Sequence, residues 1–552
     1  MNTDLRFCAH IGSPRIVTLF RSLVVILLGS AILVPLQRGN AATISVNTYN
    51  DVVAVDGACS LREAVTAVNK SAASGNVNGE CAAGDGNNDT IVLTAGTYHL
   101  TITGANEDMN AKGDLDLRAS MTIAGAGMGS TTIDATLLSS GGVPDRVVQI
   151  VGPSIQVTLR DFTISGGHAP DAASPGAPGA PGGGILVSNA TLTLQRVELF
   201  GNRAGSGGDA PAGMFSFGAA GAAGGGLAAD ASAVIVSDSL LTFNHGGVGG
   251  NSPVGSPMSF PGTGGAGGAI SLSNSSTLTL QRSTLTANAS GVGGLLFGTT
   301  PTNSGYGGAL YLDSNSAALV TQSDFDGNAS GDTSIGIAGG GIALIGGAAL
   351  TLTQSSVTRN MSRFGGGIYA SSAATLQLSN DTFAANQASL GGAIYLDNTA
   401  ANIDFGTISN NTAPTGSGIT VDSNNAVQLR NSIVSGNTGG NDCGTDGGNQ
   451  NYTSAGYNIT GNGCPSNGTA DISATDPQLG PLSANGGLGD TMLPHPTSPA
   501  TDAGSCVASS VNVDERNHAR PSDVPRVANV ADGCDIGAVE LDDDIFWDGF
   551  EG

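Results

Sequence analysis

Four aspartates recur at one position of an internal repeat and are well placed to do chemistry. Asp230, Asp313, Asp397 and Asp422 each lie six residues after the first glycine of a repeat unit. If the units stack as strands, equivalent carboxylates on adjacent units lie about 4.8 Å apart and repel unless a cation or hydrogen bonds intervene. Only Asp397 and Asp422 fall on adjacent units, so this pair is a candidate calcium site. The alternative is that each aspartate caps its own backbone at a corner.

Cleavage of acidic polysaccharides is the enzymatic reaction that the sequence has to be checked for. Hydrolysis requires carboxylates clustered on one face, with a basic residue to hold the substrate. Asn-x-Asp occurs outside the repeats, for example at residues 87–89 and 512–514, and only once inside them, at residues 402–404; Gly-His-Gly is absent, and the chain has two lysines. A lyase would need a cation near its calcium carboxylates, for which Arg359, Arg363 and Arg430 are the candidates. The sequence favours a non-catalytic role, with a polysaccharide lyase or glycoside hydrolase as the alternative.

Large apolar residues interrupt three long insertions that are otherwise rich in Gly, Ala, Ser and Pro. These clusters lie about ten residues before the next repeat and are Met214-Phe215-Ser216-Phe217, Met258-Ser259-Phe260 and Leu295-Leu296-Phe297. In a stacked structure they should come level with one another on one flank. The candidate binding residues, for a partner surface or a sugar ring, are therefore Phe215, Phe217, Phe260 and Phe297. The alternative is that the clusters cover the outer face of a sheet.

These residues are positioned by eight copies of one repeat, which is the main feature of the sequence. Each copy opens with glycine, at 182, 224, 267, 307, 339, 365, 391 and 416, and closes 20 or 21 residues later with asparagine. The closing residues are Asn202, Asn244, Asn288, Asn328, Asn360, Asn386, Asn411 and Asn437. From each asparagine to the next glycine the distance varies from 5 to 23 residues. A fixed half and a variable half predict a solenoid with insertions on one side.

The fixed half of each repeat has the alternation of a β-strand. Leu376 and Leu378 flank Gln377, and Leu278 and Leu280 flank Thr279, a period of two residues. Three short strands and three corners per unit predict an all-β fold, a parallel β-helix, and the crossover rule makes it right-handed. We expect the asparagines to form a hydrogen-bonded ladder and to supply the positive φ of a sharp corner, as the glycines can.

Composition and charge narrow the class of partner. The chain has 552 residues, with 86 Gly and 4% aromatic residues. Residues 1–41 predict a signal peptide, with Arg15 and Arg21 before an apolar run too short to span a bilayer. The remainder carries 15 basic and 43 acidic residues, a net charge of −28. Such a surface disfavours nucleic acid and anionic membranes, and we expect no transmembrane span after signal removal.

Six cysteines follow the leader and form three local pairs. An even number of cysteines in an exported chain predicts disulfides, here Cys59–Cys81, Cys443–Cys464 and Cys506–Cys534. None lies between residues 82 and 442, so the disulfides staple the two terminal regions. No pair has zinc-ligand spacing, and we expect no cofactor other than the candidate calcium.

Residues 42–118 predict an N-terminal cap. Ser60-Leu61-Arg62-Glu63 is a capping box, and Ala64 to Asn69 can continue as a short helix across the open end. Cys59-Ser60-Leu61-Arg62-Glu63-Ala64 resembles the CSLREA domain of exported bacterial β-helix proteins. The Gly-Gly-Ala-Ile and Phe-x-x-Asn elements of residues 119–437 resemble chlamydial polymorphic outer-membrane protein repeats.

Residues 438–541 predict a C-terminal cap. Its motifs are Asp476-Pro477-Gln478-Leu479-Gly480-Pro481, Ser498-Pro499-Ala500-Thr501-Asp502-Ala503-Gly504 and Cys534-Asp535-Ile536-Gly537-Ala538. This series resembles the choice-of-anchor Q domain of surface β-helix proteins. This chain has Glu515-Arg516-Asn517 where the usual pattern has Gln-Arg-Gly. Five charged residues of the cap predict an ion-pair network, the alternative being a catalytic cluster: Asp502, Asp514, Arg516, Arg520 and Asp535.

The last segment, residues 542–552, is an acidic and aromatic tail that holds the single tryptophan, Trp547. Similar tails end many exported proteins of Gram-negative bacteria, so we interpret it as a sorting tag. The sequence as a whole predicts an exported protein, extracellular or on the outer cell surface of a Gram-negative bacterium. Its expected role is adhesion or structure, with a cell-surface or matrix component, carbohydrate or protein, as partner.

Overall fold

The computed structural model describes residues 41–213, 215–253, 258–331, 338–372, 374–422, 425–447, 451–509 and 511–542. The predicted signal peptide, Met214 and the tail beyond Asp542 lie outside this range, apart from Ala41. Among the described residues, no helix has both the length and the apolar character needed to cross a bilayer.

The chain enters the fold through short strands and one capped helix. Helix α1 spans Leu61–Lys70, and the predicted capping box is confirmed. The Glu63 N–H donates to Ser60 Oγ at 3.2 Å, and the Ser60 N–H donates to the Glu63 carboxylate at 3.0 Å. Two shorter helices follow later, α2 at Thr136–Ser140 and α3 at Cys506–Ser509. The strands that precede the repeats are β1 Thr43–Ser45, β2 Asp89–Val92, β3 Gly96–His99, β4 Leu115–Leu117, β5 Met121–Ala124, β6 Thr131–Asp134, β7 Val148–Val151 and β8 Gln156–Ser165.

Each repeat contributes one strand to one sheet and one or two to another. The strands of the repeats are β9 Ile185–Ser188, β10 Thr191–Phe200, β11 Leu227–Asp230, β12 Ala233–Ser237, β13 Leu240–Thr242, β14 Ile270–Ser273, β15 Thr277–Gln281, β16 Thr284–Thr286, β17 Leu295–Leu296, β18 Thr300–Pro301, β19 Leu310–Leu312, β20 Ala317–Thr321, β21 Asp324–Asp326, β22 Ile342–Leu344, β23 Ala349–Thr353, β24 Ser356–Thr358, β25 Ile368–Ser371, β26 Thr375–Ser379, β27 Thr382–Ala384, β28 Ile394–Asp397, β29 Ala400–Asp404, β30 Thr407–Ser409, β31 Ile419–Val421, β32 Ala426–Arg430 and β33 Ile433–Val434. The last strands are β34 Cys443–Thr445, β35 Tyr452–Ser454, β36 Ile459–Thr460 and β37 Ile472–Ser473.

Pairing between successive units is parallel and in register. One sheet holds 11 of the described strands, from β4 to β34, and a larger one holds 24. Ile342 pairs with Ile368, which pairs with Ile394, so identical side chains stack inside. Every second side chain of the long strands is buried, as the alternation predicted. The fold is therefore an all-β parallel β-helix with its core between the sheets.

The closing asparagines form the predicted ladder. The Asn328 side-chain amide donates to Asn360 Oδ1 at 3.0 Å, and the same bond joins each asparagine from Asn202 to Asn437 to the next. Asp442 extends it, accepting from the Asn437 amide at 2.8 Å. Because the ladder asparagines from Asn202 to Asn411 are buried, the ladder supplies the hydrogen bonds that water cannot.

The prediction that these asparagines provide the positive φ of the corner is wrong. The residue before each one does so instead, for example Phe243 at 54° and Arg359 at 56°. The ladder asparagine must aim its amide along the axis to the next unit, and its neighbour takes the left-handed turn. The opening glycines, by contrast, have φ between 53° and 72°, as expected.

The three predicted disulfides join the predicted pairs and lie in the two terminal regions. The Cα atoms are 4.7 Å apart in Cys59–Cys81, 4.9 Å in Cys443–Cys464 and 5.8 Å in Cys506–Cys534. These separations suit a disulfide.

Candidate binding surfaces

The glycine-rich insertions form a hydrogen-bonded bundle. Each insertion runs outward on one leg and back on another. The legs, which we call the glycine bundle, comprise residues 169–180, 203–210, 217–222, 245–252, 260–265, 289–294 and 302–305. Their backbone donors recur every three residues: Gly247 and Gly250 donate to Ala222 and Ala219 on the preceding return leg. Bonding to other legs at every third residue is the pattern expected of an extended chain with three residues per turn, as in polyproline II.

Bonds run in more than one direction from each leg. On the outward leg of the second insertion, Gly249 donates to Val292 of the next outward leg at 2.9 Å. On its return leg, Gly262 and Gly265 donate to Gly250 and Gly247 of the outward leg at 2.8 Å. A three-fold helix points successive N–H groups in three directions, so one leg can bond to several neighbours. The insertions are therefore ordered against one another and are not flexible linkers.

Glycine is required where the legs touch. A Cβ atom on Gly250 would lie 1.9 Å from the carbonyl oxygen of Gly208, and one on Gly265 would lie 1.8 Å from that of Ala222. The obstacles are backbone atoms, which cannot swing aside. The glycine content of the insertions is thus explained by close packing of backbones.

Three phenylalanines stand exposed near the tips of the first two insertions, and we call them the phenylalanine patch: Phe215, Phe217 and Phe260. Their exposed fractions are 66%, 62% and 53%. The Phe217 and Phe260 rings stack, with centroids 5.6 Å apart and planes 18° apart. The patch adjoins the bundle, since the Gly218 N–H donates to the Phe260 carbonyl at 2.8 Å.

The third predicted cluster takes a different position. Phe297 is only half-exposed, and its N–H donates to Ser252 Oγ at 2.9 Å, at the end of the preceding outward leg. Phe217 and Phe260 instead begin return legs. The first two clusters thus come level as expected, whereas Phe297 is not brought into stacking contact with Phe260. Strands β17 and β18 form an antiparallel hairpin here, which sets the third insertion apart.

Two of the four corner aspartates, Asp313 and Asp230, accept hydrogen bonds from nearby residues. Asp313 accepts the Ser314 N–H at 2.6 Å, which is the local capping expected of a corner residue. Asp230 accepts from Ser273 Oγ of the next unit at 3.1 Å. Burial and the nearby charge of Asp422 raise the pKa of Asp397. These two carboxylates are therefore near enough to repel, as predicted.

Nothing in the described part of the chain adds a third acidic, histidine or cysteine ligand to Asp397 and Asp422. The one group of three such residues there is Cys506, Asp532 and Cys534, and its two sulfurs form a disulfide. Calcium takes six to eight oxygen ligands, so most of its shell at this corner would have to come from backbone oxygens or water. Calcium at this site stays a prediction.

A row of stacked tyrosines, which the sequence analysis did not identify, covers one part of the 11-stranded sheet. Tyr369 and Tyr395 pair across β25 and β28, with ring centroids 5.7 Å apart and planes 13° apart. On the strand between Tyr311 and Tyr369 the equivalent residue is Ala343, and Tyr306 fills this position, with its ring 5.9 Å from Tyr369. The signal was present, because a tyrosine stands four residues after the opening glycine in three repeats.

The tyrosine row is unsuited to base catalysis. Burial raises the pKa of Tyr369, and it raises the pKa of Tyr395, whose hydroxyl donates to Asp446 at 3.0 Å. A general base needs a pKa lowered toward the working pH. These phenols stay protonated at neutral pH and face one another, so the row packs the sheet surface.

The five charged residues of the C-terminal cap are buried, and the predicted ion-pair network is confirmed in part. Arg516 pairs with Asp514 at 2.8 Å, both side chains being fully buried. Asp535 accepts the Asp502 N–H at 2.7 Å. Arg520 pairs with Glu540 at 3.1 Å, a partner that the sequence analysis missed. Side chains sealed from solvent in this way order a cap and have no access to a polymer substrate.

Residues 268–464 match a family model described as "Right handed beta helix region". No curated protein matches the chain. Three solved structures illustrate the similarities found. The A-module of mannuronan C-5 epimerase AlgE6 from Azotobacter vinelandii is 13% identical over 76% of this chain and 93% of that chain, with a TM-score of 0.38.

Tailspike protein 3 of bacteriophage CBA120 is 12% identical over 68% of this chain and 57% of that chain, with a TM-score of 0.30. A pectate lyase is 12% identical over 82% of this chain and 88% of that chain, also with a TM-score of 0.30. At these identities and scores the likenesses carry no inference about activity. The parallel pairing, the repeat and the family match identify an all-β chain with a right-handed β-helix domain.

Proposed function

We propose that this protein is an exported, non-catalytic adhesin of a Gram-negative cell surface that binds its ligand through the phenylalanine patch. The CSLREA-like, outer-membrane-repeat-like and choice-of-anchor Q-like segments support export and surface association. In this proposal the β-helix is the scaffold, the terminal regions are caps and the insertions carry the binding surface.

One observation carries the proposal: two stacked phenylalanine rings, Phe217 and Phe260, are each more than half exposed. Burial of one such side chain is worth about 1.5 to 3 kcal/mol, and this stabilisation is largely forgone in the free protein. The rings are held by a hydrogen-bonded bundle rather than by a loose loop. A surface already ordered loses little conformational entropy when a ligand binds.

The chemistry of the patch favours a carbohydrate with little negative charge. The apolar faces of sugar rings can pack on exposed aromatic rings, and neighbouring polar groups then fix their orientation. The net charge of −28 in the predicted mature chain disfavours polyuronates, which would be repelled. Neutral or amino-sugar polymers are the ligand class that fits both observations.

The test compares two double changes. Phe217→Ser with Phe260→Ser removes the stacked pair, while Phe200→Ser with Phe243→Ser is the matched control. Phe200 and Phe243 also contact each other and are 44% and 52% exposed, but they lie on the coils. Labelled protein is applied to an array of neutral, cationic and acidic polysaccharides, and thermal unfolding is followed in parallel.

We expect at least tenfold weaker binding to a neutral or cationic glycan for the patch variant, with its melting temperature and the control's binding unchanged. Equal losses in both variants, or no binding by the unaltered protein, would refute a binding patch. Incubation with the same glycans should yield neither new reducing ends nor unsaturated products. Either product would favour the lyase or hydrolase alternative.

A further inference from the structure

A cleft of about 770 Å³ opens in the C-terminal cap, and no residue of the glycine bundle lines it. It lies beside two antiparallel segments, joined where Gly480 donates to Leu493 at 2.7 Å and Thr491 donates to Ser483 at 2.9 Å. Most of its apolar wall is leucine and proline, namely Leu479, Pro481, Leu493, Pro494, Pro496 and Leu541. A concave apolar surface of this size is typical of a site that receives large side chains.

The described chain ends at this cleft. Leu541 is part of its wall, and the next residue, Asp542, is the last that the structure describes. Asp542 is anchored to the cap by His518 and by Arg516, whose guanidinium lies 3.6 Å away. The segment that follows therefore starts from a fixed point at the rim.

The following residues have the composition that such a cleft accepts. Residues 545–547 are Ile-Phe-Trp, between an acidic run at 542–544 and Asp548. Trp547 lies six positions after Leu541, a reach of up to roughly 20 Å in an extended chain. This is long enough for the segment to turn back into a cleft that begins at Leu541.

We propose that Phe546 and Trp547 of the same chain occupy this cleft. Their rings pack on the leucine and proline side chains, while the flanking carboxylates remain in water. Burial of two large aromatic side chains favours the docked state, and Leu541, in the wall of the cleft, lies five positions before Phe546. Docking there shields the aromatic part of the tail and leaves its acidic residues accessible.

The protein carries its own reporter for this contact, because Trp547 is the only tryptophan of the chain. Tryptophan emission and acrylamide quenching are measured on the full-length mature protein. A synthetic peptide of residues 542–552 gives the fully exposed reference. We expect emission at shorter wavelength than the peptide and quenching at least threefold weaker.

Two changes test the docking from opposite sides. Leu493→Ser alters the cleft wall, where this side chain is half-buried, and Phe546→Ser alters the tail while every residue of the cleft wall stays unchanged. The matched control is Val507→Ser, since Val507 is in the same cap, 81% exposed and outside the cleft. The first two variants should move emission and quenching toward the peptide values, and the control should not.

Peptide-like emission in the unaltered protein would overturn the proposal, and so would shielding that survives Phe546→Ser. Shielding that disappears on dilution would mean that the tail occupies a second copy and would equally refute docking within one chain. The proposal is independent of the phenylalanine patch, since neither measurement involves glycan binding.

Discussion

Replacement of Gly250 by Ala provides a test of the glycine bundle. The added Cβ would lie 1.9 Å from the Gly208 carbonyl oxygen and 2.4 Å from its carbon, so the two outward legs must separate by more than 1 Å. Gly250 also donates to Ala219 at 2.8 Å and accepts from Gly262 at 2.8 Å. Separation of the legs strains or breaks these bonds.

The expected loss of stability follows from these contacts. Overpacking of a close-packed site costs about 1 to 3 kcal/mol, and two hydrogen bonds are worth about 1 kcal/mol each. The sum is about 3 to 5 kcal/mol, and it acts on the bundle, because the three nearest atoms to this Cβ position all belong to Gly208 and Asp209 of the neighbouring leg. Local unfolding of the insertions is therefore expected, with the coils retained.

Hydrogen exchange measured by mass spectrometry resolves this difference. Peptides that cover residues 203–222 and 245–265 should exchange at least a hundredfold faster in Gly250→Ala, whereas peptides from strands β23 to β30 should not change. Gly480→Ala is the control, because the nearest atom to its Cβ would be an ordinary 3.4 Å away. Unchanged exchange in the bundle, or faster exchange throughout the coils, would refute the reasoning.

Two further predictions concern the coils and the cap. Asn328→Ala leaves the buried Leu285 carbonyl and both nitrogens of Asn288 without their hydrogen-bond partner. The free energy of unfolding measured with urea should therefore fall by about 3 kcal/mol or more. The exposed Asn402→Ala should change stability by less than about 0.5 kcal/mol. Burial raises the pKa of Asp324 to about 6. Its stabilising contribution is therefore complete below pH of about 4, the unfolded pKa, and is lost as pH rises through 6. Asp324→Asn should reduce the fall in unfolding free energy between pH 4.5 and 7.5, and an unchanged fall would contradict this assignment.

The sequence by itself determined the repeating part of the molecule. The two-residue period of the strands indicates their backbone geometry. The asparagine that recurs in each unit indicates a contact with the next unit, which always has an equivalent segment. The pairing of Ile368 with Ile394 and the Asn360–Asn386 bond follow directly. The helix cap at Ser60 and Glu63 could be predicted for the same reason, since both partners lie within one turn.

The candidate site was only partly predictable. The exposed clusters at Phe217 and Phe260 could be proposed from their regular spacing in the sequence. The glycine bundle that holds them in place could not be predicted. Each bond of the glycine bundle joins legs whose spacing along the chain varies with insertion length, so no fixed period marks them. Glycine is needed in the bundle because a Cβ atom would clash with a neighbouring backbone. In the sequence, such a glycine cannot be distinguished from one in a flexible loop.

Tertiary structure alone decided which polar and aromatic groups became buried. Tyr306 completes the tyrosine row from a loop, because the neighbouring unit has Ala343 and leaves room for a ring. Asp324 lies on a strand of the coils, and its pKa rises because the cap covers it, with Gly489 approaching its carboxylate. Such shifts depend on desolvation by segments far away in the chain. Local sequence fixes conformation and register, whereas burial is a property of the whole packed molecule.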